Sequence, residues 1–277
     1  GKTDAQLGEA IERQVGILSI ESIGELRRLS AVARRTGARP AGTLRINPLE
    51  PMKQFAMRMG GQASPFGVPE ECAEAALHEA LEAGVVDIRG LHVYAGTQCL
   101  EIEAVADAMR ATIRLAERLG SSTALQWRLV NLGGGIGVPY FEGDAPIDAA
   151  TAGAAIARTV AAAATSPALA GTRFVVELGR YLIGEFGWYV ARVIDVKATR
   201  GKQYAILDGG MHHCFSATGH FGQLIKKNFR TANLSRPSGP VSVYDVVGPL
   251  CTPLDTLARQ VALPELAPGD LGGIGNC

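Results

Sequence analysis

An acidic and a basic residue mark the end of a short apolar segment at residues 173–180, whose sequence is RFVVELGR. The β-branched run predicts a strand that ends at Glu177, with Gly179 and Arg180 at the turn that follows. A carboxylate and a guanidinium held close together suit a ligand with a basic ring nitrogen at one end and a phosphate at the other. Pyridoxal phosphate is such a ligand. An ordinary ion pair between Glu177 and Arg180 is the alternative.

Three successive glycines follow a second apolar run, within residues 131–137 (NLGGGIG). Glycine permits positive φ and leaves backbone amides unshielded, so Gly133, Gly134 and Gly135 can form a concave set of N–H donors for an anion. The dinucleotide fingerprint Gly-x-Gly-x-x-Gly does not match, because the spacing differs and no helix start follows. A tight structural turn is the alternative to an anion site.

A third segment, residues 90–98 (GLHVYAGTQ), alternates like a strand and ends in Gly96 and Thr97. His92 and Tyr94 place a ring nitrogen and an aromatic face near its carboxyl end. A single histidine or tyrosine in such a strand belongs to the core more often than it is catalytic.

Regular alternation of strands and helices surrounds these segments. Strand patterns lie near residues 16–20, 42–46, 87–94, 127–132 and 173–177. Helical patterns cover residues 22–35, 69–83, 102–119 and 147–163. This order predicts a parallel (β/α)8 TIM-like barrel, in which chemistry gathers at the carboxyl ends of the strands. Five βα units are visible, so at roughly 30 residues per unit we expect a further N-terminal part that this chain does not contain.

The pattern changes after Gly184. Residues 187–196, 203–207 and 241–247 are typical of strands joined by turns without long helices. We therefore predict a barrel domain at residues 1–183 and a C-terminal antiparallel β domain, sandwich-like or barrel-like, at residues 184–277. Both ends of the chain are expected to be truncated.

Composition narrows the class of protein. The chain has 277 residues, is 47% hydrophobic, and balances 27 acidic with 27 basic residues. The chain has no basic stripe of the kind that binds nucleic acid. It also has no apolar run long enough to span a membrane and no signal sequence, so we expect a cytoplasmic protein. The five cysteines have no metal-ligand spacing and are expected to be reduced.

Taken in order, these segments resemble the fold-type III pyridoxal-phosphate decarboxylases, the family of diaminopimelate and ornithine decarboxylases. The resemblance continues through residues 1–3 (GKT), 20–22 (IES), 44–48 (LRINP), 207–211 (LDGGM) and 248–255 (GPLCTPLD). It is greatest to decarboxylases associated with exosortase systems and to those acting on carrier-protein-bound glutamate, through residues 211–213 (MHH), 219–223 (GHFGQ) and 251–255 (CTPLD).

The resemblance implies roles for the barrel residues. Glu177 would hold the pyridine nitrogen of pyridoxal phosphate in its protonated form, because an opposite charge favours the cation. His92 matches the first histidine of the family's strand motif, and Tyr94 replaces the second, which stacks on the cofactor. Tyrosine offers an aromatic face but does not titrate like histidine. The phosphate would be bound by Gly96, Thr97, Gly133, Gly134, Gly135, Gly179 and Arg180.

The resemblance also implies roles for residues near the C-terminus. Cys251 would return a proton to the substrate carbon, entering from the partner subunit of a homodimer. A buried structural cysteine is the alternative. The ornithine and diaminopimelate enzymes carry an acid at the position of Thr252, and a neutral side chain cannot pair with a distal ammonium. Asp255 and His213 are expected in the substrate pocket, and we expect no metal site.

We therefore predict a pyridoxal-phosphate-dependent carboxy-lyase. Its substrate would be a small amino acid, either free or linked to an acyl carrier protein. Alternatives are diaminopimelate decarboxylase proper, an amino-acid racemase, a non-catalytic pyridoxal-phosphate-binding protein and a degenerate structural subunit. The family's Schiff-base lysine lies upstream of residue 1, and none of the six lysines present occupies its motif.

Overall fold

The computed structural model describes residues 1–50, 55–141, 143–220, 223 and 226–276. Its backbone forms two compact units. The first comprises Gly1–Gly137 and Ile147–Leu178, and the second comprises Val138–Pro146 and Gly179–Cys277. The domain boundary predicted between residues 183 and 184 stays a prediction.

The first unit alternates strands with helices. Its helices are α1 (Asp4–Glu12), α2 (Ile23–Thr36), α3 (Glu70–Ala83), α4 (Ile102–Thr123) and α5 (Ala149–Ala163). Its strands are β1 (Leu18–Ile20), β2 (Ala41–Asn47), β3 (Met57–Arg58), β4 (Val68–Pro69), β5 (Asp87–Val93), β6 (Gly96–Thr97), β7 (Leu129–Gly134) and β8 (Arg173–Glu177). The five predicted strands and the four predicted helices are confirmed.

Five strands of this unit form one parallel sheet in the order β1-β2-β5-β7-β8, with β4 paired to β2. Helices pack over the strands, which explains why most residues of β2 and β5 are buried. Trp127 fixes α4 just before β7, because its buried indole nitrogen donates to the carbonyl of Ala116 at 2.7 Å.

Local sequence explains where the helices begin and end. Ser22 caps α2 by accepting a hydrogen bond from the backbone amide of Glu25 at 3.0 Å, which satisfies one of the helix's free N–H groups. Gly37 and Gly84 end α2 and α3 in the left-handed conformation that glycine adopts without strain. Both signals are readable from the sequence.

The second unit is built on a six-stranded sheet. Its elements are α6 (Arg180–Ile183), β9 (Trp188–Thr199), β10 (Lys202–Leu207), β11 (Thr231–Asn233), β12 (Val241–Val247), β13 (Thr256–Pro264) and β14 (Leu271–Gly275), and the strand order is β11-β14-β9-β10-β12-β13. Val193, Leu207, Tyr244 and Leu257 lie in its buried core.

The predicted β domain is confirmed, with one difference in strand direction. Strand β10 pairs with β12 in parallel, whereas the other pairings of the sheet are antiparallel. Residues 208–240 connect the two strands, and a connection of this length can return the chain to the starting end of the sheet. The sheet is therefore mixed. Within the described ranges, no helix combines the length and apolar character needed to cross a membrane.

Candidate active site

A row of polar side chains crosses the parallel sheet. In the strand register, Arg45 on β2 is opposite His92 on β5, and His92 is opposite Asn131 on β7. Glu177 lies at the end of the adjacent strand β8, opposite Gly134. Parallel pairing thus brings residues separated by more than a hundred positions to one edge of the sheet.

Two neighbours orient the carboxylate of Glu177. The side-chain amide of Asn131 donates to its Oε1 at 2.9 Å, and His92 Nε2 lies 3.7 Å from the same oxygen. The second distance is longer than a hydrogen bond but within the reach of an ion pair. Together His92 and Asn131 lower the pKa of Glu177 to about 2, so the carboxylate is ionised at neutral pH.

His92 is buried, with 7% of its surface exposed. Its Nδ1 lies 3.4 Å from the hydroxyl of Ser19 on β1, whereas its Nε2 has no hydrogen-bond partner among the described residues. The ring is therefore oriented from one side and directed at Glu177 on the other. The interpretation of His92 as an ordinary core residue does not explain this polar contact.

Close packing of strand ends explains the glycines. Gly133 and Gly135 have φ of +68° and +99°, in the region that disfavours side chains. A Cβ on Gly133 would lie 2.5 Å from the carbonyl oxygen of Val93, and one on Gly134 would overlap the carbonyl oxygen of Glu177. A tight turn therefore accounts for these glycines without a ligand, and their phosphate role stays a prediction.

The amide of Gly133 is already engaged. It donates to the Asn131 side-chain oxygen at 2.9 Å, so Asn131 joins the glycine turn to Glu177. Gly96 packs against the same turn, because a Cβ on Gly135 would overlap its carbonyl oxygen. The structure thus brings together two of the three segments predicted to bind phosphate.

Tyr94 lies beside a charged network that the sequence analysis missed. The guanidinium of Arg45 is 6.0 Å from the Tyr94 ring centre and 5.4 Å from that of Phe66, and it pairs with Glu21 at 3.0 Å. Arg45 and Glu21 fall within the segments LRINP and IES, near the carboxyl ends of their strands. That position was the signal that could have identified them.

Arg180 is the first residue of α6 in the second unit. Its guanidinium hydrogen-bonds the hydroxyl of Tyr140 and lies 5.3 Å from the centre of that ring. Gly179 precedes it as the N-cap residue. The phosphate roles of Arg180, Gly179, Gly96 and Thr97 stay predictions.

Cys251 lies exposed on the loop between β12 and β13, followed by the partly buried Thr252. Asp255 closes this loop and is buried, with both carboxylate oxygens hydrogen-bonded to backbone amides. These contacts describe a group that organises the loop. Its predicted place in the substrate pocket stays a prediction.

The histidines of the second unit are exposed. The rings of His212 and His213 lie 3.9 Å apart between centroids, and Tyr189 lies 6.3 Å from the His213 ring. No group of three His, Cys, Asp or Glu residues suited to a metal ion occurs in the described part of the chain. The substrate role of His213 stays a prediction.

The barrel-side residues fit pyridoxal phosphate. An ionised carboxylate suits the protonated ring nitrogen, the buried His92 supports that carboxylate, and Tyr94 offers an aromatic face. Among the described lysines, Lys2 is paired with Glu25 at 2.7 Å. Lys53 lies outside the described residues.

Comparison with known proteins agrees with this fit. The model of the family "Pyridoxal-dependent decarboxylase, pyridoxal binding domain" matches residues 1–184. The L-glutamyl-[BtrI acyl-carrier protein] decarboxylase of Niallia circulans is 32% identical over 98% of this chain and 64% of its own length. A diaminopimelate decarboxylase of Helicobacter pylori is 27% identical over 98% of this chain and 64% of its own length.

The fold matches solved structures as well. The crystal structure of diaminopimelate decarboxylase from Helicobacter pylori complexed with L-lysine superposes with a TM-score of 0.83 at 27% identity, and covers 100% of this chain and 66% of that one. The chain therefore has the α/β-barrel and β-domain architecture of these enzymes. It spans just under two thirds of the length of the relatives named here.

Proposed function

The chain belongs to the family of pyridoxal-dependent decarboxylases, and from that premise we propose that the whole protein removes the α-carboxyl group of an amino acid with pyridoxal phosphate. The proposal rests chiefly on the state and position of Glu177. Its carboxylate has a pKa of about 2 and stands at the carboxyl end of a barrel strand. When bound, the cofactor's protonated ring accepts the electrons of the broken C–C bond.

The residues of this chain would hold and orient that ring. Glu177, supported by Asn131 and His92, would pair with the ring nitrogen and keep it protonated. Tyr94 would present its face to the ring, backed by the Arg45 guanidinium. The backbone near Gly96 and the glycine turn, together with Arg180, would contact the phosphate. The Gly133 amide already donates to Asn131, so Gly133 would not donate to the phosphate. It would instead allow the turn to adopt its tight conformation.

Cys251 would then act as the acid. Its thiol would give a proton to the substrate carbon that has lost carbon dioxide, and the resulting thiolate would be reprotonated from solvent. Two observations support this role. Cys251 is exposed, and the ends of its loop are joined by the hydrogen bond from the Gly248 amide to the Asp255 carbonyl. In the family, the equivalent segment enters the partner's site, so we propose a homodimer with shared sites.

The neutral Thr252 supports a substrate without a distal ammonium. The Niallia circulans relative decarboxylates glutamate bound to a carrier protein, and the side chain of glutamate has no distal ammonium. We propose the same substrate class here, with an acyl carrier protein as partner. Ornithine, lysine and diaminopimelate would then be poor substrates.

Mass spectrometry of the intact protein tests this function. Free amino acids and glutamyl-carrier conjugates are incubated with it, and loss of carbon dioxide is scored. Glu177→Gln should bind the cofactor and lose turnover, because the phosphate contacts remain while ring protonation is weakened. Glu82→Gln, an exposed glutamate of the same unit, is the matched control and should be fully active. Full turnover of Glu177→Gln would contradict the assignment.

Two outcomes would favour the alternatives. Exchange of the substrate α-proton with solvent deuterium, without loss of carbon dioxide, would indicate a racemase. Efficient decarboxylation of diaminopimelate would show that the inference from Thr252 is wrong.

Coexpression tests the shared site. Glu177→Gln and Cys251→Ala, each inactive alone, should regain partial activity together, because one site of each mixed dimer receives both intact halves. If mixed dimers form and remain inactive, Cys251 does not act across the interface.

A further inference from the structure

We infer that Asp255 is a positioning residue that fixes the Cys251 loop (residues 248–255) to the histidine turn (residues 210–214). The inference begins with burial. The carboxylate is 2% exposed, and within the described ranges no cation pairs with it. A buried carboxylate without a counter-ion is tolerated only when hydrogen bonds replace its lost hydration.

Both oxygens of Asp255 accept backbone hydrogen bonds, one from each segment. Oδ1 accepts from the amide of Met211 at 2.6 Å, and Oδ2 accepts from the amide of Leu250 at 2.9 Å. The backbone of Asp255 closes its own loop as well, because its carbonyl accepts from Gly248 at 2.9 Å and its amide donates to Thr252 at 3.1 Å.

Two glycines pack directly on this carboxylate. A Cβ on Gly210 would lie 2.8 Å from the carboxyl carbon, and one on Gly248 would lie 2.5 Å from Oδ1. Neither residue has positive φ in this structure, so close approach explains glycine at both positions. The two segments are therefore shaped around the side chain of Asp255.

The histidine turn starts at the residue that contacts Asp255. The amides of His213 and Cys214 donate to the carbonyl of Gly210 at 2.9 and 3.0 Å. One carboxylate therefore holds the segment that carries the exposed His212 and His213 and the loop that carries Cys251. We expect the two segments to be ordered, and to open, together.

Hydrogen exchange of the intact protein tests the coupling without any reaction. In Asp255→Ala, the amides of both Met211 and Leu250 should exchange roughly tenfold faster or more, because both acceptors are lost. In Asp255→Asn, one carboxamide oxygen remains, so one amide should keep its protection while the other loses it. Asp270→Asn is the matched control, since Asp270 accepts from Ala267 at 2.8 Å in a different turn. It should leave Met211 and Leu250 unchanged.

Kinetics provide the second measurement and rest on the proposed function. Asp255→Asn should lower kcat roughly tenfold while KM and cofactor affinity change by less than about twofold, because a displaced loop misaligns the thiol and leaves the barrel contacts intact. If kcat and cofactor affinity both fell and KM rose to a similar extent, Asp255 would be a merely structural residue. Unchanged exchange at both amides would overturn the inference, whereas an inactive wild-type protein would contradict only the proposed function.

Discussion

Replacing Asn131 by Asp should raise the pKa of Glu177 without disturbing the glycine turn. Asn131 donates to Glu177 through its side-chain nitrogen and accepts from the Gly133 amide through its oxygen, both at 2.9 Å. Aspartate keeps an acceptor for Gly133. It replaces the donor by a second negative charge beside the carboxylate of Glu177.

The size of the effect follows from distance and exposure. Two unit charges about 4 Å apart near a protein surface interact by roughly 4 kcal/mol. The Glu177 side chain is 44% exposed, so water reduces this repulsion to about 1–2 kcal/mol. Since about 1.4 kcal/mol corresponds to one pKa unit, we expect the pKa of Glu177 to rise from about 2 to roughly 3–3.5.

Acid titration by carboxyl ¹³C NMR measures this directly. The Glu177 resonance is assigned by its loss in Glu177→Gln, and the intact protein is titrated without cofactor. In the wild-type protein no midpoint should appear above about pH 3, whereas Asn131→Asp should show one. Asn131→Ala serves as a control. It removes both hydrogen bonds of Asn131 but adds no charge, so it should raise the pKa of Glu177 less than Asn131→Asp does. Equal titration of the wild-type and Asn131→Asp carboxyls would refute the reasoning.

Four further predictions concern pH dependence, packing and substrate selectivity. The pKa of Glu177 is depressed, so its stabilisation is complete above its ordinary value of 4.5 and is lost as pH falls towards about 2; the Tm difference from Glu177→Gln should shrink over that interval. Burial lowers the pKa of Lys226 from 10.5 to about 8, so wild-type stability should rise with pH between these values, and Lys226→Met should abolish the rise. Gly134→Ala should lower the free energy of unfolding in urea by about 1–3 kcal/mol, because its Cβ would overlap the Glu177 carbonyl, whereas Gly153→Ala, with open space in α5, should not destabilise. Thr252→Asp should create weak activity towards ornithine or diaminopimelate, measured as carbon dioxide release, and its absence would weaken the selectivity argument.

Much of the fold is encoded locally. Helix periodicity, the cap at Ser22 and the β-branched run that ends at Glu177 each depend on a few neighbouring residues, and the structure places these elements as predicted. The direction of pairing between β10 and β12 is different in kind. It depends on the path of residues 208–240, which no local pattern specifies.

The candidate site divides in the same way. Residue type and position at strand ends identified Glu177, His92, Tyr94 and the glycine turn, because side chains at the carboxyl ends of parallel strands share one edge. The same rule did not select Asn131, since an asparagine beside glycines is typical of any turn.

Tertiary structure alone decided the partners of these groups. The strand register places His92 and Asn131 beside Glu177. Packing also lets the Gly133 amide donate to the side chain of Asn131. Folding likewise brings two backbone amides to the buried carboxylate of Asp255, and each donates a hydrogen bond to one of its oxygens. Sequence determines which groups are available, whereas hydrogen-bond partners and burial arise from contacts between distant segments, which exist only once the chain has folded.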